Sequence, residues 1–128
     1  MNPPEPDWPA DRQAIADLVH QYCYAVAAED IQGIVRCFTH DATMDVLGDV
    51  HQGHDGLRSM YAVALRSKPK PFIHNLIVER RDTGSAVGRC VAQIIREADA
   101  STGYGRYDDT FVRTPDGWRF ASRSYTRY

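Results

Sequence analysis

At 128 residues the chain has the size of one domain. With 43% hydrophobic and 25% charged residues it holds enough apolar matter for one core. A net charge of −2, with the basic residues scattered, offers no footprint for nucleic acid or an anionic membrane. No run approaches the ~18 apolar residues of a membrane span. The opening Met-Asn-Pro-Pro-Glu-Pro-Asp has neither the basic nor the apolar region of a signal peptide. Three cysteines (Cys23, Cys37, Cys90) without CxxC spacing fit a reducing cytoplasm and argue against a disulfide scaffold or a zinc site.

Residues 1–8 carry three prolines and predict a loose arm ahead of a single domain over 9–128. A helix starting at Asp7 or Trp8 takes Pro9 in its first turn, where the missing N–H costs nothing. Ile15, Leu18, Val19, Tyr22 and Val26 follow amphipathic helical spacing. Glu29-Asp30 interrupts, and a short second helix carries Ile31, Ile34, Val35 and Phe38, with Thr39-His40-Asp41 as its exit. Thr43 to Leu47 predicts a strand closed by Gly48. A third helix opens at Gly53 to Gly56 and buries Leu57, Met60, Tyr61, Ala64 and Leu65. Lys68-Pro69-Lys70-Pro71 forces an extended link. Four strands are expected over 72–80, 86–97, 103–113 and 118–127, with turns at Asp82-Thr83-Gly84 and Thr114-Pro115-Asp116-Gly117 and a polar loop over 98–102. The order helix, helix, strand, helix, four strands predicts an α+β fold: three helices on the concave face of a bent, mostly antiparallel sheet, enclosing a cone-shaped pocket.

His74 stands inside the apolar run Phe72-Ile73-His74-Asn75-Leu76-Ile77-Val78, sharing strand parity with Phe72, Leu76 and Val78. An imidazole there accepts or donates a proton near neutral pH if a partner orients its other nitrogen. Asp109 alternates with Tyr107 and Phe111 and is the candidate partner or separate acid. The competing reading pairs it with Arg123 or Arg106, and Asp108 replaces it if the register shifts. Tyr22 on the first helix can present a phenol to a developing oxyanion, while Tyr24, turned ~200° away, belongs to the surface. Val26, Met44, Val46, Tyr61, Phe72 and Phe111 are the expected pocket walls. His51 and His54 lack a third ligand, so no metal site is expected. Gly103-Tyr104-Gly105 precedes a strand and is no phosphate loop.

Leu18 to Tyr24, Asp30 to Phe38 and Asp41-Ala42-Thr43 resemble the opening of SnoaL-like proteins of the nuclear transport factor 2-like superfamily. His74 before Asn75-Leu76 resembles the strand histidine of the scytalone dehydratase-like branch. Tyr107 to Arg113, Asp116 to Arg119 and Arg123 resemble the closing hairpin, so the likeness spans roughly residues 11–127. It implies a cone-shaped, usually dimeric fold with a metal-free, cofactor-free interior site.

Relatives include dehydratases, dehydrochlorinases, ketosteroid isomerases, cyclases and non-catalytic proteins. The chain departs from them where a base is expected: five residues after Tyr22 stands Ala27, and the isomerase position falls near Val46, with Asp45 one residue away. Two functions follow. One is a lyase, isomerase or cyclase acting on a small hydrophobic carbonyl- or ring-containing molecule, with His74 as base, Tyr22 as oxyanion donor and Asp109 as orienting group or acid. The other is a non-catalytic small-molecule-binding or assembly module. If His74 lies outside any pocket, the second reading stands.

Overall fold

A computed structural model describes residues 7–128; of the proline-rich arm, residues 1–6 lie outside the described residues. Helix α1 spans Trp8–Ala27. Asp7 caps it by accepting from the Ala10 N–H at 3.1 Å, with Pro9 in the first turn. Its buried stripe is Ile15, Leu18, Val19, Tyr22 and Val26. Glu29 turns the chain at φ +57°, and Asp30 caps α2 (Ile31–Arg36) through the Gly33 N–H.

Strand β1 covers Phe38–Val46. The Thr39-His40-Asp41 segment, expected as a helix exit, lies inside this strand. A tight turn at Leu47-Gly48, both with positive φ, reverses the chain into β2 (Asp49–Gln52). Asp45 fastens that turn by accepting from the Gly48 N–H. This hairpin was not expected: four largely exposed residues carry too little alternation to announce a strand.

Helix α3 (Gly53–Ala64) and a single 3-10 turn (Leu65–Ser67) lead to β3 (Pro69–Asp82), β4 (Ser85–Arg96), β5 (Ser101–Thr114) and β6 (Gly117–Arg127). The strand order is β2-β1-β6-β5-β4-β3, with β1 parallel to β6 and all other pairs antiparallel. β3 is therefore an edge strand, so Pro69 and Pro71 begin it rather than forming a separate link. Likewise β5 starts at Ser101, inside the expected loop.

The three helices and this mixed, unclosed sheet give the α+β architecture the element order predicts. The core between them contains Ile15, Val19, Ile34, Leu57, Phe111 and Phe120, all fully buried. Each such side chain contributes roughly 1.5–3 kcal/mol of transfer free energy. The N-terminal half of α1 is tied to the closing hairpin through Asp11, which accepts from Trp118 Nε1 and from Arg113. Among the described residues no helix is long and apolar enough to cross a membrane.

Candidate functional site

The inner sheet face, α1 and α3 enclose a cavity of about 220 Å³. Tyr22 and Val26 come from α1, Met60, Tyr61 and Ala64 from α3, and Met44 and Val46 from β1. Pro69, Pro71, Ile94, Arg96, Tyr107 and Tyr125 complete the walls, with Ser67 from the 3-10 turn. Ala64, Ser67, Pro71 and Arg96 are at least partly exposed and mark the mouth. A larger groove of about 390 Å³ on the sheet is lined by Arg89, Asp108, Thr110, Ser122 and Ser124 among others. That groove sets the charged Glu79, Arg89 and Asp108 beside Ile77 and Val87 and is more open to solvent than the cavity between sheet and helices.

His74 is not in the cavity. It is exposed on the outer sheet face, with Nε2 at 3.4 Å from Gln93 Oε1. The reason is local. Asn75 adopts φ +56°, and the β3–β4 register shifts between His74 and Ile77. This bulge inserts one residue and breaks the assumed parity. Before it, Ile73 opposes the buried Ala92 and faces inward, so Phe72 and His74 face outward; beyond it, Val78 is buried. Phe72, expected as a pocket wall, is 49% exposed for the same reason. Phe111 does face inward, but it lies in the core against Phe120 and does not line the cavity. Val26, Met44, Val46, Tyr61 and Tyr22 do line it.

Asp109 is buried, and its partner is Arg123 rather than His74. Arg123 donates through Nε at 2.8 Å and Nη2 at 3.3 Å to the two carboxylate oxygens. The guanidinium is sandwiched by rings: its Cζ lies 3.6 Å from the Tyr107 centroid, 4.4 Å from Tyr22 and 4.5 Å from Phe120. Burial pushes the Asp109 carboxyl up to about 6, against the opposing pull of Arg123. Arg123 is itself held above its ordinary range: burial works against its charge, but Asp109 and the surrounding phenols outweigh it. Asp109 is thus a counter-ion under the floor of the cavity and no part of its lining. Asp108 pairs with Arg106 at the surface.

The phenols set the polar character of the site. The Tyr22 and Tyr61 hydroxyls share a short hydrogen bond. Burial raises Tyr22, Tyr61 and Tyr107 well above the ordinary phenol value, so all three stay protonated at neutral pH. They can donate or accept hydrogen bonds but cannot serve as bases. The thiols offer no nucleophile either: burial pushes Cys37 up to about 11 and Cys90 to about 12. The Tyr125 hydroxyl is buried in the cavity wall with no hydrogen-bond partner among the described residues. Within those residues no cluster of His, Cys, Asp and Glu could hold a metal ion.

A sequence model of the SnoaL-like domain matches residues 9–124. The chain belongs to the SnoaL-like family. This SnoaL-like domain is 30% identical to an uncharacterized protein of Mycobacterium tuberculosis strain H37Rv, over 92% of the chain and 86% of that protein. It superimposes on a solved Mycobacterium tuberculosis protein of unknown function with TM-score 0.85 and 24% identity, covering 93% of this chain and 72% of that one. A second solved structure, assigned provisionally as a scytalone dehydratase of Novosphingobium aromaticivorans, gives TM-score 0.86 at 17% identity, with coverage of 93% and 85%. These likenesses support the nuclear transport factor 2-like fold.

Tyr125 and Arg96 escaped the reading of the sequence. The signal that could have found them is Gly103-Tyr104-Gly105. Two glycines one residue apart share a strand face and leave it bare. A Cβ on Gly105 would meet the Tyr125 ring and, at 2.6 Å, the Thr126 carbonyl oxygen. One on Gly103 would meet the Arg96 guanidinium at 3.0 Å.

Proposed function

We propose that this domain is a binding module for a small, largely apolar molecule that offers one polar atom to the tyrosine hydroxyls. The observation that carries this is the Tyr125 hydroxyl, buried in a largely apolar wall without a hydrogen-bond partner among the described residues. An unsatisfied buried hydroxyl costs about 1–3 kcal/mol, and a ligand oxygen or nitrogen removes that cost. The acid–base reading required an imidazole or carboxylate aimed at the ligand. The described lining residues include none: His74 faces outward, Asp109 is committed to Arg123, and Ala27 is not part of the lining. We also propose a homodimer through the outer sheet face, where Phe72, Ile77, Ile95 and Tyr104 are exposed; light scattering at micromolar concentration tests it, and a monomer mass would overturn it.

The binding test uses opposite signs. Tyr125→Phe should raise the stability of the unliganded protein by removing the orphan hydroxyl. It should weaken binding of oxygen-bearing hydrophobic ligands found in a thermal-shift panel. For wild type, a ligand at 100 times its Kd adds about 2.7 kcal/mol, a rise of about 10 °C for a chain of this size. A less stable Tyr125→Phe protein with unchanged ligand affinity would refute the assignment. Proton exchange separates the two functions: a bound ketone whose α-proton exchanges with D2O at an enzyme-dependent rate would reinstate acid–base catalysis.

A further inference from the structure

Arg96 is the one cationic side chain that lines the cavity. It lies on the inner face of β4, two residues beyond Ile94, which pairs with Gly103. Its guanidinium lies against Gly103, with Nη1 at 3.0 Å and Nη2 at 3.3 Å from where a Cβ would be. Any side chain at 103 would contest that position. Among the described residues Arg96 forms no ion pair. Its sequence neighbour Glu97 is engaged instead with Lys70 at 3.9 Å, and Lys70 also donates to the Ala27 carbonyl at 3.2 Å. Asp99, in the adjoining turn, accepts from the Ser101 N–H at 2.9 Å. Its carboxyl is lowered chiefly by Ser101 and only secondarily by the charge of Arg96, with which it forms no ion pair. Glu97 and Lys70 are thus paired with each other off the cavity lining, and one half-buried guanidinium without an ion pair among the described residues remains at the mouth of a largely apolar chamber.

We propose that the ligand of this cavity is an amphiphilic carboxylic acid, its apolar body inside and its carboxylate on the Arg96 guanidinium. This rests on the binding reading above and adds the charge of the ligand to it. A planar guanidinium fork matches a carboxylate with two parallel N–H···O bonds. The apolar walls supply affinity for the body, and the seating over Gly103 holds the fork in place before a ligand arrives. The volume of about 220 Å³ suits a single aromatic ring or a short chain rather than a sterol.

The experiment is titration calorimetry on the full chain with matched acid and alcohol pairs: octanoate and octanol, cinnamate and cinnamyl alcohol, 2-naphthoate and 2-naphthylmethanol. In at least one pair the acid should bind wild type about tenfold more tightly than the alcohol. That gap should shrink as salt is raised. Arg96→Gln should close the gap, and Arg96→Lys should restore part of it, because the charge returns without the fork. Circular dichroism and melting of each variant verify the fold. If alcohols bind as well as acids in every pair, or if Arg96→Gln keeps the acid preference, the charge assignment is wrong while the cavity remains a binding site. If no member of any pair binds, the binding reading falls, and this inference with it.

Discussion

Replacing Arg123 by Met tests whether the ion pair beneath the cavity is a structural unit. The substitution removes the guanidinium from between Tyr107, Tyr22 and Phe120 and strips Asp109 of both its charged hydrogen bonds. Breaking a buried pair by removing one partner typically costs about 3–5 kcal/mol. The methionine recovers some packing but no charge, so about 4 kcal/mol is expected. For 128 residues the unfolding entropy is about 0.27 kcal/mol/K, so the melting temperature should fall by about 15 °C. Urea unfolding followed by the fluorescence of Trp8 and Trp118 gives the free energy directly. Replacing both partners, Arg123→Met with Asp109→Leu, should return to within about 1 kcal/mol of wild type. The pH dependence supplies an independent check. Asp109 is raised from an ordinary 3.8 to about 6, so the folded state holds its proton longer than the unfolded state does. Its contribution to stability is complete below about pH 4 and declines as pH rises to about 6. In Arg123→Met the carboxyl loses the cation that pulls it down, so the decline must extend above pH 6. An Arg123→Met protein within 1 kcal/mol of wild type, with no added slope above pH 6, would refute the reasoning.

Three further perturbations follow from the same geometry. His74→Ala should leave stability within about 0.5 kcal/mol of wild type and leave ligand affinity unaltered in calorimetry, because the imidazole is exposed outside the cavity. Asn75→Val should destabilise by about 1–3 kcal/mol, since a β-branched residue resists the left-handed backbone of the bulge, while Asn75→Gly should be tolerated; equilibrium denaturation ranks the two. Gly105→Ala should cost about 1–3 kcal/mol and blunt ligand binding, because the new methyl collides with the Thr126 carbonyl and with the ring that carries the Tyr125 hydroxyl.

The helical half of the fold was legible because its signals are local. Asp7, Pro9 and the Ile15-to-Val26 stripe fix α1, and Glu29-Asp30 marks the break before α2. The last three strands were legible because turn residues separate long apolar runs. What escaped depends on pairing. Pro69 and Pro71 fit a strand only at an edge, and edge status is a property of the sheet. The β1–β2 hairpin hides behind Leu47, a non-glycine residue at φ +53°, where turn chemistry predicts Asn or Gly. The site is the least legible part, because both faces of 72–78 are apolar in sequence and parity breaks at Asn75. Asn tolerates the left-handed region better than most residues, but from sequence it was one more polar residue in a strand. The alternative ion pair of Asp109 with Arg123 is the one the structure forms, through two hydrogen bonds.

The boundary between binder and enzyme in this fold comes down to where a base would have to stand. Val46 lines the cavity and pairs with Tyr125 across β1 and β6, so a carboxylate there would face the ligand beside an unpartnered phenol. The chain instead places its acid one residue earlier, at Asp45, where alternation turns the side chain away and the turn N–H of Gly48 occupies it. At Ala27 the side chain lies outside the cavity lining, and the carbonyl is held by Lys70. His74 lies on the outer face, next to the single-residue bulge at Asn75. Among the described residues, Asp45, Ala27 and His74 all lie outside the cavity lining. The groups that donate hydrogen bonds remain: Tyr22, Tyr61, Tyr125 and Arg96 all line the cavity. These donors are the groups the proposed binding function draws on, and they would select a ligand by its oxygen atoms and its charge.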